Sequence, residues 1–553
     1  MLGSRGGGSK QTGLILKTVA AGMVCLTAAA CTSGGSTSSG SAGGGTPTAG
    51  GDLRFATSVE PECLDPEVGA RDVDALIDRN IFDSLVEQTA NGGFKPWLAK
   101  SWTISPDRLT YTFTLRTGVV FHDGTWLDAA AVKATLDHAV DPKARSYYAA
   151  SLISAYSGAT VVNPTTVAVR LSRPSRPFLQ ALSTPYLGIQ SPKSIRDDFK
   201  NLCQKPVGTG PFVFAGWSKG SSVKLSRNPK YAWGPSTAAH TGVARLDSLT
   251  FSFVAESSVR LGALTSGQAD VISEVPPHNV ALVRKVDQLL TAPEPGAVYT
   301  LLLNTKYGPL TDERVRKAFQ RSVNLDKLVD SVYAGQYKRA WSVLSPATPD
   351  YAKTTANSWP YDPKLAGTLL DQAGWTGRDA QGYRTRNGQR LTLRWPYSAI
   401  QQRDDRVVFG QGIQAEAKKA GIDVQFASED PGKLGADLNS GKNLEIFAMS
   451  FVRADPDILH FYFGTDQTVA KGGGNMFQLS DSKLDGWFGT EISTADPADA
   501  ATAVGQAQQY INEHALALPT YASSYLLGAS KKVHGVTFDP TAYPLFYDVW
   551  LGK

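Results

Sequence analysis

The sequence predicts a mixed α/β chain of more than one domain. Three observations predict it. Strand-like and helix-like stretches alternate along the chain with no fixed-period repeat. The 53 glycines and 31 prolines are spread throughout, as in a chain of many turns. The body beyond an N-terminal export segment is longer than one hydrophobic core usually supports.

The N-terminal segment comes first. Arg5, Lys10 and Lys17 precede a mostly apolar run over residues 19–30, and no acidic residue occurs before Asp52. This is the layout of an export signal over residues 1–30. Cys31 follows Ala28, Ala29 and Ala30 and opens a Gly/Ser/Thr/Ala/Pro stretch over residues 31–50, a composition that behaves as a flexible tether. The expectation is lipidation of Cys31, with the tether as a leash to the membrane. The alternative is simple secretion, since the leucine of a lipoprotein box belongs three residues before the cysteine and here stands at Leu26. No later stretch offers the ~18 consecutive apolar residues of a membrane span.

Three of the 55 Lys and Arg residues lie before Cys31, leaving 52 against 50 Asp and Glu. A nearly neutral body without a basic face is no nucleic-acid binder. Cys25 leaves with the signal, so Cys63 and Cys203 remain as an even pair in an oxidising compartment, read as a disulfide or as two buried thiols.

Within the body, "TYTFTLR" alternates polar and apolar residues and reads as a half-buried strand. "LDAAAVKATLDHAV" reads as a helix capped by Asp128. "TVAVRL" and "SVKLSR" are strands, and "SVRLGALTSGQAD" is a helix closed by Gly267. "VYTLLLNT" has strand length, and "TDERVRKAFQRSVNLDKLVDSVYAG" carries helical spacing from a Thr/Asp cap. "LTLRWPYS" is a strand, "VVFGQGIQAEAKKAGIDVQF" is a helix feeding a strand through Gly421, and "LEIFAMSFV" is a strand emptying into "RADPD". "FHDG" reads as a turn rather than a catalytic pair, and "PVGTGPF" as a tight inter-strand bend, since it lacks the Gly-Lys-Ser/Thr ending of a phosphate loop.

Residues 98–142, 206–233, "ALTSGQADV", "LLLNTKYGPLTDERVRKAF" and "YDPKLAGTLLDQAGW" resemble the successive blocks of extracellular solute-binding proteins of the oligopeptide, dipeptide and nickel class. The resemblance implies a two-lobed periplasmic-binding-protein-like fold with an inserted subdomain in the first lobe. Carried onto this chain, the first lobe comprises residues 51–86, 203–293 and 519–553, the insertion residues 87–202, and the second lobe residues 294–518. The hinge falls near "APEPGAVY" and "LPTYASS". The implied protein is an extracytoplasmic, lipid-anchored monomer that captures a peptide or peptide-like solute and delivers it to an ABC permease with its ATPase subunits. No cofactor and no metal ligand set are expected.

In the second lobe, Trp395 and Tyr397 offer rigid surfaces for stacking on a ligand, and the loop after "LEIFAMS" adds Phe451, Val452, Arg453, Asp455 and Asp457. Peptide-binding members keep an aspartate for the peptide amine where this chain has Val452. Arg453 either meets an anionic group or pairs with Asp455 and Asp457, which also suit turn and cap duty. In the first lobe, Glu60 and Arg71 are the candidate contacts, or order the turn that carries them. An organic anion or metal chelate is therefore an alternative cargo. An exported hydrolase is a further alternative class, although the chain has no GxSxG or HExxH motif.

Overall fold

The computed structural model describes residues 45–399 and 405–552. The export segment, Cys31 and most of the expected tether lie outside them. No helix among the described residues is long and apolar enough to cross a membrane.

Two main sheets organise the body. The first has seven strands in the order Gln288–Pro293, Ser524–Ala529, Val271–Ile272, Asp52–Thr57, Ser248–Phe253, Ser222–Arg227 and Phe212–Ser218. Asp52–Thr57 runs parallel to both its neighbours, and the remaining pairs are antiparallel. The second has four strands in the order Lys338–Arg339, Ala517–Ala522, Ala297–Leu303 and Ile446–Phe451. Beside it, Thr392–Tyr397 and Asp423–Ser428 pair in parallel through the helix Arg406–Lys419. Parallel pairing requires such a crossover.

Between the first two segments of the first lobe lies the inserted sheet, Ala99–Ile104, Thr110–Leu115, Thr166–Leu171 and Tyr156–Asn163 in that spatial order. The alternation of Thr110–Leu115 buries Tyr111, Phe113 and Leu115. Asp128 accepts the Ala131 amide and starts the helix Ala129–Val140. "FHDG" is a turn, with Gly124 at φ +85° and its amide donated to the Phe121 carbonyl.

The chain crosses between the two main sheets twice. Gln288–Pro293 leads through Glu294 to Gly296 into Ala297–Leu303, and Ala517–Ala522 returns through Ser523 into Ser524–Ala529. The two crossings are tied to each other, the Glu294 amide donating to the Ser523 carbonyl at 3.2 Å and the Ser523 hydroxyl to the Glu294 carboxylate. The strand Ala517–Ala522 pairs with Ala297–Leu303 and Lys338–Arg339 of the second sheet. One core unites the first sheet with the insertion, and another continues from Ile272 and Leu526 of the first sheet to Tyr299 and Tyr521 of the second.

Three local expectations need correction. The stretch from Thr311 is two helices, Glu313–Ser322 and Leu325–Tyr333, because the Asn324 side chain accepts the Lys327 amide and starts a new one. "PVGTGPF" is a close approach rather than an inter-strand bend: a Cβ on Gly208 or Gly210 would lie 2.1 or 2.6 Å from backbone atoms at the end of the helix Asp72–Ile81. Trp395, expected as an exposed stacking surface, is turned inward in this conformation. It faces the second-lobe core at 1% exposure against Phe426, because alternation along Thr392–Tyr397 turns it inward with Leu393.

Cys63 and Cys203 are joined by a disulfide, with Cα atoms 4.3 Å apart. It closes 140 residues of chain around the insertion and does not span the crossings.

Candidate functional site

The loop that follows Ile446–Phe451 is built around a buried ion cluster. Arg453 Nε and Nη2 donate to the two oxygens of Asp455 at 3.1 and 2.8 Å, and Nη2 also reaches Asp457 at 3.2 Å. Burial alone would lower the arginine's pKa, but the charges of Asp455 and Asp457 raise it above its ordinary value. His460 extends the cluster, bonded to Asp457 at 3.2 Å and Asp466 at 2.7 Å. Burial disfavours the imidazolium, yet those hydrogen bonds and charges outweigh it and hold the pKa at about 10. Arg453 thus shapes the loop in this conformation, and its fork is occupied by aspartates.

Gly296 presses the first crossing against this loop. At φ +93°, a Cβ there would stand 2.2 Å from the Phe451 carbonyl and 2.5 Å from the Arg453 amide nitrogen. The first crossing and the loop therefore share one close backbone contact.

Across from the loop stands the insertion. Tyr148 faces Phe451 with ring centroids 5.4 Å apart and meets Tyr186 edge-on at 4.6 Å. Gln88 Nε2 donates to the Ala454 carbonyl at 3.1 Å. Arg176 reaches Asp350 at 3.1 Å and Glu491 at 3.5 Å, and its amide donates to the Ile492 carbonyl at 3.0 Å. These contacts join the insertion to the second lobe on a different set of elements from the two crossings. Burial, with the nearby Asp457 and Asp455 adding to it, pushes Glu491 up to about 8.

Tyr397 is half-buried and stacks on Phe426 at 4.4 Å. Phe451 and Val452 are half-buried at the start of the loop. Glu60 accepts Trp217 Nε1 at 2.9 Å and the Gly220 amide at 3.0 Å, so it orders the hairpin of Phe212–Ser218 and Ser222–Arg227. Arg71 pairs with Glu62 on the surface and precedes the helix Asp72–Ile81, its amide donating to Asp74 at 3.0 Å. Both first-lobe residues serve the turn in this conformation.

The sequence profile of bacterial extracellular solute-binding proteins, family 5 (middle) matches residues 93–472. The chain belongs to that family. Family 5 proteins are extracytoplasmic binding proteins of ABC transporters, not enzymes; they take up a small solute and deliver it to a permease. The chain is 27% identical over 499 residues to glutathione-binding protein GsiB of Escherichia coli K12, covering 89% of this chain and 93% of that one. Among solved structures, NikA from Brucella suis in complex with Fe(III)-EDTA is 26% identical with a TM-score of 0.79, covering 91% of this chain and all of NikA. DppA from Helicobacter pylori in complex with the peptide STSA is 25% identical with a TM-score of 0.75, covering 92% and 99%.

Sequence reasoning missed several groups that surround this loop. Tyr148 lies on a five-residue helix in the insertion, Gln88 ends the three-residue strand Val86–Gln88, and Arg176 lies in a connecting segment, so no periodic pattern marks them. Arg406 starts the helix Arg406–Lys419 and turns back to donate to the Ser450 hydroxyl at 2.8 Å, over the Tyr299 ring at 4.4 Å. Only the register between that helix and Ile446–Phe451 brings Arg406 beside the loop.

The described residues contain one group with metal-ligand spacing, Asp65, Glu67 and His138, buried in the first lobe. His138 Nε2 bonds Asp65 at 2.9 Å, and the Gln190 amide donates to both carboxylates. Burial and the neighbouring Asp65 push Glu67 well above the ordinary carboxylate range. The cluster is an interior hydrogen-bond network.

Proposed function

We propose that this family 5 protein captures a peptide or peptide-like solute between its lobes, as a monomer tethered to the outer face of the membrane through Cys31. The single observation that carries the site is the facing of Tyr148 and Phe451 across the lobes, directly above the ion-paired loop over residues 452–457. Rotation about the crossings at residues 294–296 and 523 separates these walls, and a guest held by both draws them together. On this reading the first lobe ends at Pro293 and resumes at Ser524.

Relatives named for glutathione or bound to a peptide support a peptide-like cargo. A second reading, an organic anion or metal chelate, is favoured by Val452 in place of a carboxylate. A free ammonium beside Val452 would be buried without a counter-charge.

Native mass spectrometry of protein purified from its own host identifies a retained solute. Calorimetry then compares glutathione, short peptides with free or acetylated amines, and chelates. Tyr148→Ala should weaken capture of the true solute by about tenfold or more, roughly 1.4 kcal/mol. Unchanged affinity in that variant, or distance probes on the two lobes that stay constant for every solute, would overturn the reading.

A further inference from the structure

A cavity of about 420 Å³ lies within the first lobe, walled by the main domain, the insertion and the C-terminal segment, with no second-lobe residue in its lining. Its volume falls within the range of small-molecule sites and is many times that of one water. Five aromatic residues stand in its walls, Trp97, Tyr231, Phe538, Phe546 and Tyr547.

Its polar groups are arranged with a bias. Gln180 is 4% exposed, and its Oε1 is buried without a partner. Glu87 has one oxygen bonded by the Thr237 hydroxyl, while Oε2 is buried without a partner. Both are acceptors. Arg79, the one arginine or lysine in the lining, is already engaged: its Nη1 donates to Ser84 at 2.8 Å, its Nη2 to the Ser183 carbonyl at 2.6 Å, and its guanidinium lies 5.1 Å from the Trp97 ring. Against it the lining sets three carboxylates, Glu87, Asp539 and Asp548. Asp539 Oδ1 accepts the Thr541 and Tyr543 amides, and the two oxygens of Asp548 meet the Ala239 amide and His240. What remains for an occupant is a pair of acceptors, Glu87 Oε2 and Gln180 Oε1, against one buried donor without a partner, Trp97 Nε1, with more carboxylates than cations in the lining and aromatic surface beside them.

We infer that this cavity is a second ligand site, independent of the cleft, for a small organic amine whose N–H groups donate to Glu87 Oε2 and Gln180 Oε1 while its apolar body lies against the aromatic wall. Aromatic faces and a carboxylate are the usual surroundings of an ammonium group. Two buried acceptors without donors gain most from an occupant that carries several.

The test uses the full chain with phenethylammonium, its neutral analogue 2-phenylethanol and the anion 3-phenylpropionate, titrated by calorimetry. Phenethylammonium should bind at least tenfold more tightly than either analogue. Glu87→Gln should lower its affinity tenfold or more, Gln180→Leu severalfold, and Ala238→Phe, which fills the cavity from its wall, should abolish it. Tyr148→Ala should leave the amine's affinity unchanged, which separates this site from the cleft. Equal binding of the three probes, no binding at millimolar concentration, or an amine affinity indifferent to Glu87→Gln and Ala238→Phe would each overturn the assignment.

Discussion

Replacing Arg453 by alanine separates the two roles that residue could have. In the structure its guanidinium holds Asp455 at 2.8 and 3.1 Å and Asp457 at 3.2 Å, with Arg453 7% and Asp455 5% exposed. Removing it leaves two neighbouring carboxylates in a buried loop with His460 as their remaining cation, so the loss should be that of a broken buried pair, about 3–5 kcal/mol. The pH dependence follows from the same geometry. Burial already raises the pKa of Asp455, and losing the arginine raises it further. A carboxylate with a raised folded pKa binds more protons in the native state, so its penalty is largest at high pH and fades as pH falls through that pKa. The deficit of Arg453→Ala against the parent should therefore be full at pH 8 and visibly smaller at pH 5.5, read by urea unfolding with circular dichroism. Lysine at this position should fall between the two, since an ammonium cannot reproduce the two-pronged contact with Asp455. An Arg453→Ala protein as stable as the parent at pH 8, yet unable to bind solute, would refute the reasoning and make Arg453 a ligand contact.

Gly296→Ala should cost roughly 2–4 kcal/mol, because a side chain is strained at φ +93° and its Cβ would sit 2.2 Å from the Phe451 carbonyl. Solute affinity should fall with stability in this variant, since the contact joins hinge to loop; calorimetry and urea unfolding together check it. Cys203→Ser should destabilise the first lobe by about 2–5 kcal/mol, as the bridge closes 140 residues, and unfolding with and without reductant should coincide only in the variant. His460 is held at about 10 against an ordinary 6.5. The stability it contributes should be full below about pH 6.5 and be lost progressively toward pH 10, so the advantage of the parent over His460→Gln, followed by unfolding at several pH values, should decline across that window. Trp395→Ala should cost about 3–5 kcal/mol as a core truncation, and a loss of solute affinity without a loss of stability would return it to the cleft.

Legibility in the sequence followed the range of the forces involved. "TYTFTLR", the Asp128 cap and the Gly267 stop are local signals, and each element stands where alternation, capping and glycine placed it. The break inside residues 311–335 turned on Asn324, a side chain whose bond to its own chain outcompetes continued helix. The inward turn of Trp395 was not legible for a different reason: an aromatic at a strand end stacks on a ligand or fills a core equally well, and only the pleat sets it against Phe426. Arg453, Asp455 and Asp457 were recognised as a group, yet whether the fork faced a guest or its own aspartates depended on how the loop packs under Gly296.

By itself the sequence determined the α/β alternation, most element ends, the pairing of the two remaining cysteines as one of two readings, and the family resemblance, because these rest on neighbours within a turn or on ordered blocks of residues. Tertiary structure alone decided that Tyr148 meets Phe451, that Arg406 reaches Ser450, that Gln180 and Glu87 face one cavity, and that the return crossing lies at Ser523. Those are contacts between residues tens to hundreds of positions apart, and their registry is set by how sheets and helices pack, which no local periodicity encodes.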